Sequence, residues 1–173
     1  RQVMNSAFST TKNPAYSENT RSKFTGCLVG TAVGDSLGAR REGSSEIVEV
    51  ADLAPRYTEN TAMTIAVAES LAECKDFHYW HMAERLLKKY EQEPWRRYGH
   101  TITRVFRLMR NGKLGFGMID RDLYAEGSHG NGAAVREAPV GLLYHDDPPM
   151  LRDIAYHCAG ITQSTQVFTG VKT

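Results

Sequence analysis

Residues 56–73 read RYTENTAMTIAVAESLAE. Thr58, Glu59, Asn60 and Thr61 set four oxygen-bearing side chains in a row directly ahead of an apolar helical pattern. Two chemistries suit that arrangement. Thr, Asn and Glu in a first turn accept helix N–H bonds and meet the positive end of the helix dipole. Adjacent oxygen side chains at a bend can also converge on magnesium, which requires oxygen ligands in near-octahedral array. Spacing alone leaves both readings open.

A second grouping is GSHGNGAAVR, residues 127–136. Gly127, Gly130 and Gly132, with Ser128, His129 and Asn131, open what reads as a helix. Exposed N–H groups at such a start, with glycines admitting a ligand to the backbone, suit a phosphate. No strand precedes it and no Lys-Ser/Thr follows, so it is neither a Walker A loop nor a dinucleotide fingerprint. The bland alternative is a plain helix-start turn. A third stretch, GDSLGARRE, ends on Glu42 beside Arg40 and Arg41, and taken singly Glu42 is a surface carboxylate.

The elements that must position these groups are all helical. Residues 1–22 are polar and broken by Pro14, which predicts an irregular arm; Ser22 can then cap a first helix to about Ala39. Gly26, Gly30, Gly34 and Gly38 recur along one stripe of that helix, where close helix packing is the expected use for most of them. Asp35 lies beside the stripe and needs a partner if buried. Further helices are expected at about Thr61–Cys74, His81–Tyr90 and His100–Arg110, then from just after GSHGNG to about Tyr144, and at about Met150–Ile161. Asn111–Gly117 reads as a Gly-rich turn and HDDPP as a loop. No alternating β pattern of useful length occurs, so the expected class is all-α, in one domain.

With 173 residues, 41% of them hydrophobic, the chain can bury a sizeable core. A net charge of +1 gives no electrostatic case for nucleic acid or a membrane surface, and no run is apolar enough to span a bilayer. Cys27, Cys74 and Cys158 lack zinc or disulfide spacing and read as small buried hydrophobes in a reducing, intracellular compartment, cytoplasmic or mitochondrial.

Together the segments FTGCLVGTAVGDSLGARRE, YTENTAMTIAVAESLAE, MAERLLKKYEQEP…YG, GSHGNGAAVREAPVGLLY and AGITQ resemble the ADP-ribosylglycohydrolases, and within them the branch that removes ADP-ribose from serine. Order and spacing agree over residues 23–163. The resemblance implies a compact orthogonal all-α fold, two magnesium ions in a cleft beside ADP-ribose, and hydrolysis at the distal ribose anomeric carbon by a metal-positioned water. It gives Glu42, seven residues after Asp35, the acid role, and gives the diphosphate and ribose to the loop of Gly127, Ser128, His129, Gly130, Asn131 and Gly132. Thr58, Glu59 and Asn60 fall at a metal site.

That site is altered. The family carries Thr-Asp-Asp-Thr where this chain has Thr58, Glu59, Asn60 and Thr61. Glu for Asp lengthens one ligand arm, and Asn for Asp removes a negative charge that magnesium needs. A family histidine is replaced by Gln163. The family's later D-x-D-T cluster has no counterpart; Asp120 and Asp122 form a D-x-D in the wrong place and read as a solvated loop. Residues 23–173 therefore read as a partial family domain. The expected function is that of a degenerate, non-catalytic relative with a structural or interaction role in a larger assembly. The alternatives are an active magnesium-dependent hydrolase seen as a fragment, and an ADP-ribose-binding module. ADP-ribose, an ADP-ribosylated protein or assembly partners are the implied partners.

Overall fold

The computed structural model describes residues 18–40, 45, 54, 56–113 and 131–163. Every regular element among them is helical: α1 (Glu18–Gly38), α2 (Glu59–Cys74), α3 (Tyr79–Gln92), α4 (His100–Arg110), a 3-10 turn (Ala134–Arg136), α5 (Ala138–Leu143) and α6 (Pro148–Ala159).

Three boundaries differ from the sequence expectation, each for a local reason. α1 begins at Glu18, so residues 18–22 are helical rather than part of an arm and Ser22 lies inside the helix instead of capping it. Glu18 in the first turn suits the positive end of the dipole. The helix expected after the glycine loop is broken. A 3-10 turn comes first, and α5 starts anew with Pro139 in its first turn, where proline's missing N–H costs nothing. The same preference places Pro148 and Pro149, expected in a loop, at the start of α6, which Asp147 caps by accepting the Met150 N–H at 3.1 Å.

The centre of the molecule is α2. Ala62, Met63, Ala66, Val67 and Leu71 are buried at helical spacing along it. α3 lies against this face with Met82, Ala83 and Leu86, and α5 and α6 close the core with Val140, Ile154 and Cys158. α1 touches α2 and α5. A Cβ at Gly26, Gly30, Gly34 or Gly38 would meet nothing within 4 Å, so the close packing expected of that stripe is not made by the described residues. Val29 is 57% exposed and Val33 47% on the same helix. Of the three free cysteines, Cys158 is buried, as expected, whereas Cys27 and Cys74 are only partly covered.

Two ionisable side chains sit in the core where α6 meets the 3-10 turn. Arg136 is fully buried. Its Nη1 donates to Thr162 Oγ1 at 2.6 Å and Gly132 O at 3.3 Å, and its Nη2 donates to Cys158 O at 2.7 Å and Ala159 O at 3.3 Å. The guanidinium thus occupies the negative end of α6, which offsets part of the cost of burying a charge. Next to it, both carboxyl oxygens of Glu137 are buried without a hydrogen-bond partner. Burial pushes the Glu137 carboxyl up to about 7, against an opposing pull from Arg136, and Cys158, whose thiol burial also raises, lies beside it.

Arg136→Ala is expected to cost roughly 3–5 kcal/mol in urea unfolding, because it strands a buried hydroxyl and helix-end carbonyls together; Arg136→Lys should recover little, since one ammonium cannot serve both groups. Glu137 binds its proton more tightly folded than unfolded. Its contribution is fully present below its ordinary value of 4.5 and is lost as pH rises through about 7, a loss of roughly 3 kcal/mol. Glu137→Gln should flatten that decline in a melting series from pH 5 to pH 9.

Candidate functional site

The Thr58–Thr61 turn begins α2, and its first role is structural. Thr58 is the N-cap, in extended conformation, with Oγ1 accepting the Asn60 N–H at 3.3 Å. The next orphan donors are met from elsewhere in the chain. Glu59 N donates to Arg96 O at 2.8 Å, and Thr61 N donates to Asp35 Oδ2 at 3.3 Å.

Asp35 is the hub. Its Oδ2 also accepts from Thr58 N at 2.7 Å and Thr61 Oγ1 at 2.6 Å, and its Oδ1 accepts from Thr58 Oγ1 at 2.5 Å. One carboxylate near the end of α1 therefore takes four hydrogen bonds from the first turn of α2, at the positive end of that helix. Thr58 and Thr61 are both buried. The sequence showed only that Asp35 needed a partner; two threonines three residues apart after a bend are the signal that identifies it.

Glu59 and Asn60, which follow the cap, are half-buried. The Oδ1 of Asn60 is buried and accepts no hydrogen bond. Close by, the Tyr98 hydroxyl is likewise buried without a partner. Burial pushes the Tyr98 phenol well above its usual range, with Glu93 and Glu59 adding to the effect and Arg96 opposing it. Thr64, one turn on, shares its hydroxyl proton between Asn60 O at 2.8 Å and Val135 O at 3.1 Å, which ties the turn to the segment after the glycine loop.

Of the glycine-loop residues, Asn131 and Gly132 are described; Gly127, Ser128, His129 and Gly130 lie outside the described residues, as do Glu42, Asp120 and Asp122. Asn131 is exposed, with its carbonyl accepting from Val135 N at 3.1 Å. Gly132 lies against α2: a Cβ there would stand 3.7 Å from both Met63 Cε and Gln163 Nε2. Gln163, standing where the family carries histidine, is buried and accepts the Ala133 N–H at 2.8 Å. The amide thus holds the loop's exit. Thr58–Asn60 and Asn131–Gly132 therefore belong to one neighbourhood, joined through Thr64, Met63 and Gln163.

This neighbourhood does not fit two magnesium ions among the described residues. Asp35 is committed to the threonines, Glu59 is the turn's one carboxylate, and position 60 offers a neutral oxygen. No group of three or more His, Cys, Asp or Glu able to hold a metal ion occurs among the described residues. A divalent ion needs several anionic oxygens to replace the water it sheds.

The helical fold, the Asp-anchored threonine turn and the segment after the glycine loop that Thr64 ties to it define a class. The ADP-ribosylglycohydrolase family model matches residues 16–170, and the chain belongs to that family. Among curated proteins it is similar to the ADP-ribosylhydrolase ARH3 of Gallus gallus, with 32% identity over 149 residues, 72% of this chain and 40% of that protein. The Homo sapiens ARH3 is 32% identical over 144 residues, 71% of this chain and 40% of the relative. An uncharacterized protein of Archaeoglobus fulgidus is 32% identical over 158 residues, 82% of this chain and 50% of that protein. The chain thus spans about 40% of the length of the ARH3 proteins it matches.

Asp35→Asn replaces two acceptor oxygens with one acceptor and one donor facing hydroxyls and N–H groups. A stability loss of roughly 2–4 kcal/mol is expected, read from chemical unfolding, with helix content at low denaturant retained.

Proposed function

We propose that this chain is a non-catalytic member of the ADP-ribosylglycohydrolase family, using the fold for binding or assembly. The observation that carries the reading is position 60. Asn60 places a buried, unpartnered neutral oxygen where family enzymes carry an acid. A neighbouring carboxylate, Asp35, is taken up by the threonine cap. Charge is what persuades magnesium to give up water, and the turn has one carboxylate to offer where the family has two. Family membership gives the fold a history of ADP-ribose chemistry, yet fold alone confers no activity.

The chain's own residues support ligand contact without metal. Asn131 is exposed at the end of the glycine loop, and Gly132 is backed by Met63 and Gln163, so a ligand at the loop would rest on a firm wall. ADP-ribose, free or on a protein side chain, is the ligand this reading favours. A second reading, an active hydrolase of which these residues are one part, draws on the same orphaned oxygen of Asn60, since a buried acceptor without a donor is one that a cation would satisfy. In that case Glu42 is the acid, and Thr58, Glu59 and Asn60 are ligands.

Calorimetry with ADP-ribose, with and without magnesium, joined to an assay for ADP-ribose release from a serine-modified peptide, separates the readings. The expected result is no magnesium-dependent release and no magnesium dependence of any binding. Turnover with magnesium would overturn the proposal. Restoring the family turn with Glu59→Asp and Asn60→Asp together should tighten magnesium binding at least tenfold in the same calorimeter.

A further inference from the structure

A cavity of about 520 Å³ lies between α1, α2 and α5, and no residue of the Thr58–Thr61 turn lines it. Clefts of about 300–1,000 Å³ take up most of the surface of a small organic ligand. Each long helix gives the cavity one face at helical spacing. On α1 the wall is Phe24 and Leu28, with Arg21 one turn earlier. On α2 it is Leu71 between Ala68 and Ala72, with Lys75 one turn later. Ala68 and Ala72 end at Cβ, so the space that longer side chains would fill stays open.

The two cations share one end. Asp35 ties the end of α1 to the start of α2, while the cavity sets the start of α1 beside the end of α2. The helices therefore run antiparallel, and Arg21 and Lys75 stand at one mouth with Leu28 and Ala68 at the far end. Both cations are exposed, and neither side chain makes an ion pair or a hydrogen bond among the described residues. The acids near Lys75 in the chain are engaged elsewhere. Glu73 pairs with Arg85 and stands 3.2 Å from His81 Nε2, and Asp76 Oδ1 accepts from Tyr144 Oη at 2.6 Å and from Phe77 N at 2.8 Å. No carboxylate lines the cavity among the described residues. An apolar trough with two free cations at one mouth is complementary to a ligand divided in the same way.

We propose that this cavity binds a medium-chain linear carboxylate, its tail laid between α1 and α2 and its head held by Arg21 and Lys75. From position 21 to position 28 the lining covers about 10 Å of helix, at about 1.5 Å per residue, which is the reach of such a tail. Burial of the tail against Phe24, Leu28, Leu71 and Leu143 supplies the affinity. The guanidinium fork of Arg21 matches carboxylate oxygens, Lys75 adds a point charge, and together they decide which end of the ligand lies outermost. The site needs no divalent ion and is the same whether or not the chain hydrolyses anything.

The test titrates the chain in a calorimeter with octanoate, decanoate and decyltrimethylammonium, each below the concentration at which it forms micelles. Decanoate is expected to bind roughly tenfold more tightly than octanoate, because two more methylenes leave water. Decyltrimethylammonium, the same tail on a cation, should bind at least tenfold more weakly than decanoate. Arg21→Gln with Lys75→Gln should weaken decanoate at least tenfold and leave the melting temperature of the unliganded chain unchanged, since both side chains are exposed. Ala68→Phe should abolish binding by filling the cavity; if that variant loses its helical circular dichroism, Ala72→Leu at the exposed edge carries the same test. No decanoate binding at millimolar concentration would overturn the proposal. So would equal affinity for the two head groups, or decanoate affinity unchanged in the double glutamine variant. A dimer in sedimentation that decanoate dissociates would give the cavity to a second copy of the chain and overturn it as well.

Discussion

Four hydrogen bonds to the Asp35 carboxylate join the end of α1 to the first turn of α2. The carboxylate satisfies an orphan N–H, neutralises part of the dipole of α2 and orients Thr58 and Thr61 in a single arrangement. Thr58 is thereby locked as the cap that precedes Glu59 and Asn60. The turn's capacity for chemistry is thus a by-product of how the helix is started.

The same economy recurs at the other end of the site. Arg136 places a guanidinium against the closing carbonyls of α6 and reaches back to Gly132 at the exit of the glycine loop. Gln163 completes the arrangement by accepting the Ala133 N–H. In both places a charged or amide side chain substitutes for regular backbone pairing, and the segment it stabilises lies at the cleft. Burial of such groups makes the loss of a partner costly, which lowers the tolerance of these segments to substitution. Glu137, beside Cys158, is a buried carboxyl that burial biases toward its protonated form.

Much of this was legible in the residues. Helical periodicity located α2, α3, α4 and α6 to within about two residues, because buried apolar side chains recur with the turn of the helix. Proline misled twice: at Pro139 and at Pro148–Pro149 the sequence suggested continuation or a loop, whereas the ring starts a helix there. The glycine stripe of α1 also misled. Its spacing argued for a close neighbour, yet no described residue approaches it, since spacing reveals that a face can be approached and not what approaches it.

What the linear order of residues determined by itself is the family, the all-helical class and the chemical identity of the Thr58–Thr61 turn, because these depend on residue type and on spacing within a few turns of chain. Only the folded molecule decided where charge goes. Asp35 reaches across 23 residues to Thr58, Arg136 across 26 to Thr162, and Arg40 comes to share a cavity with Arg96 and Arg97. Electrostatic partners are set by distance through space, and a chain folded around α2 brings together groups whose sequence separation says nothing about their separation in ångströms.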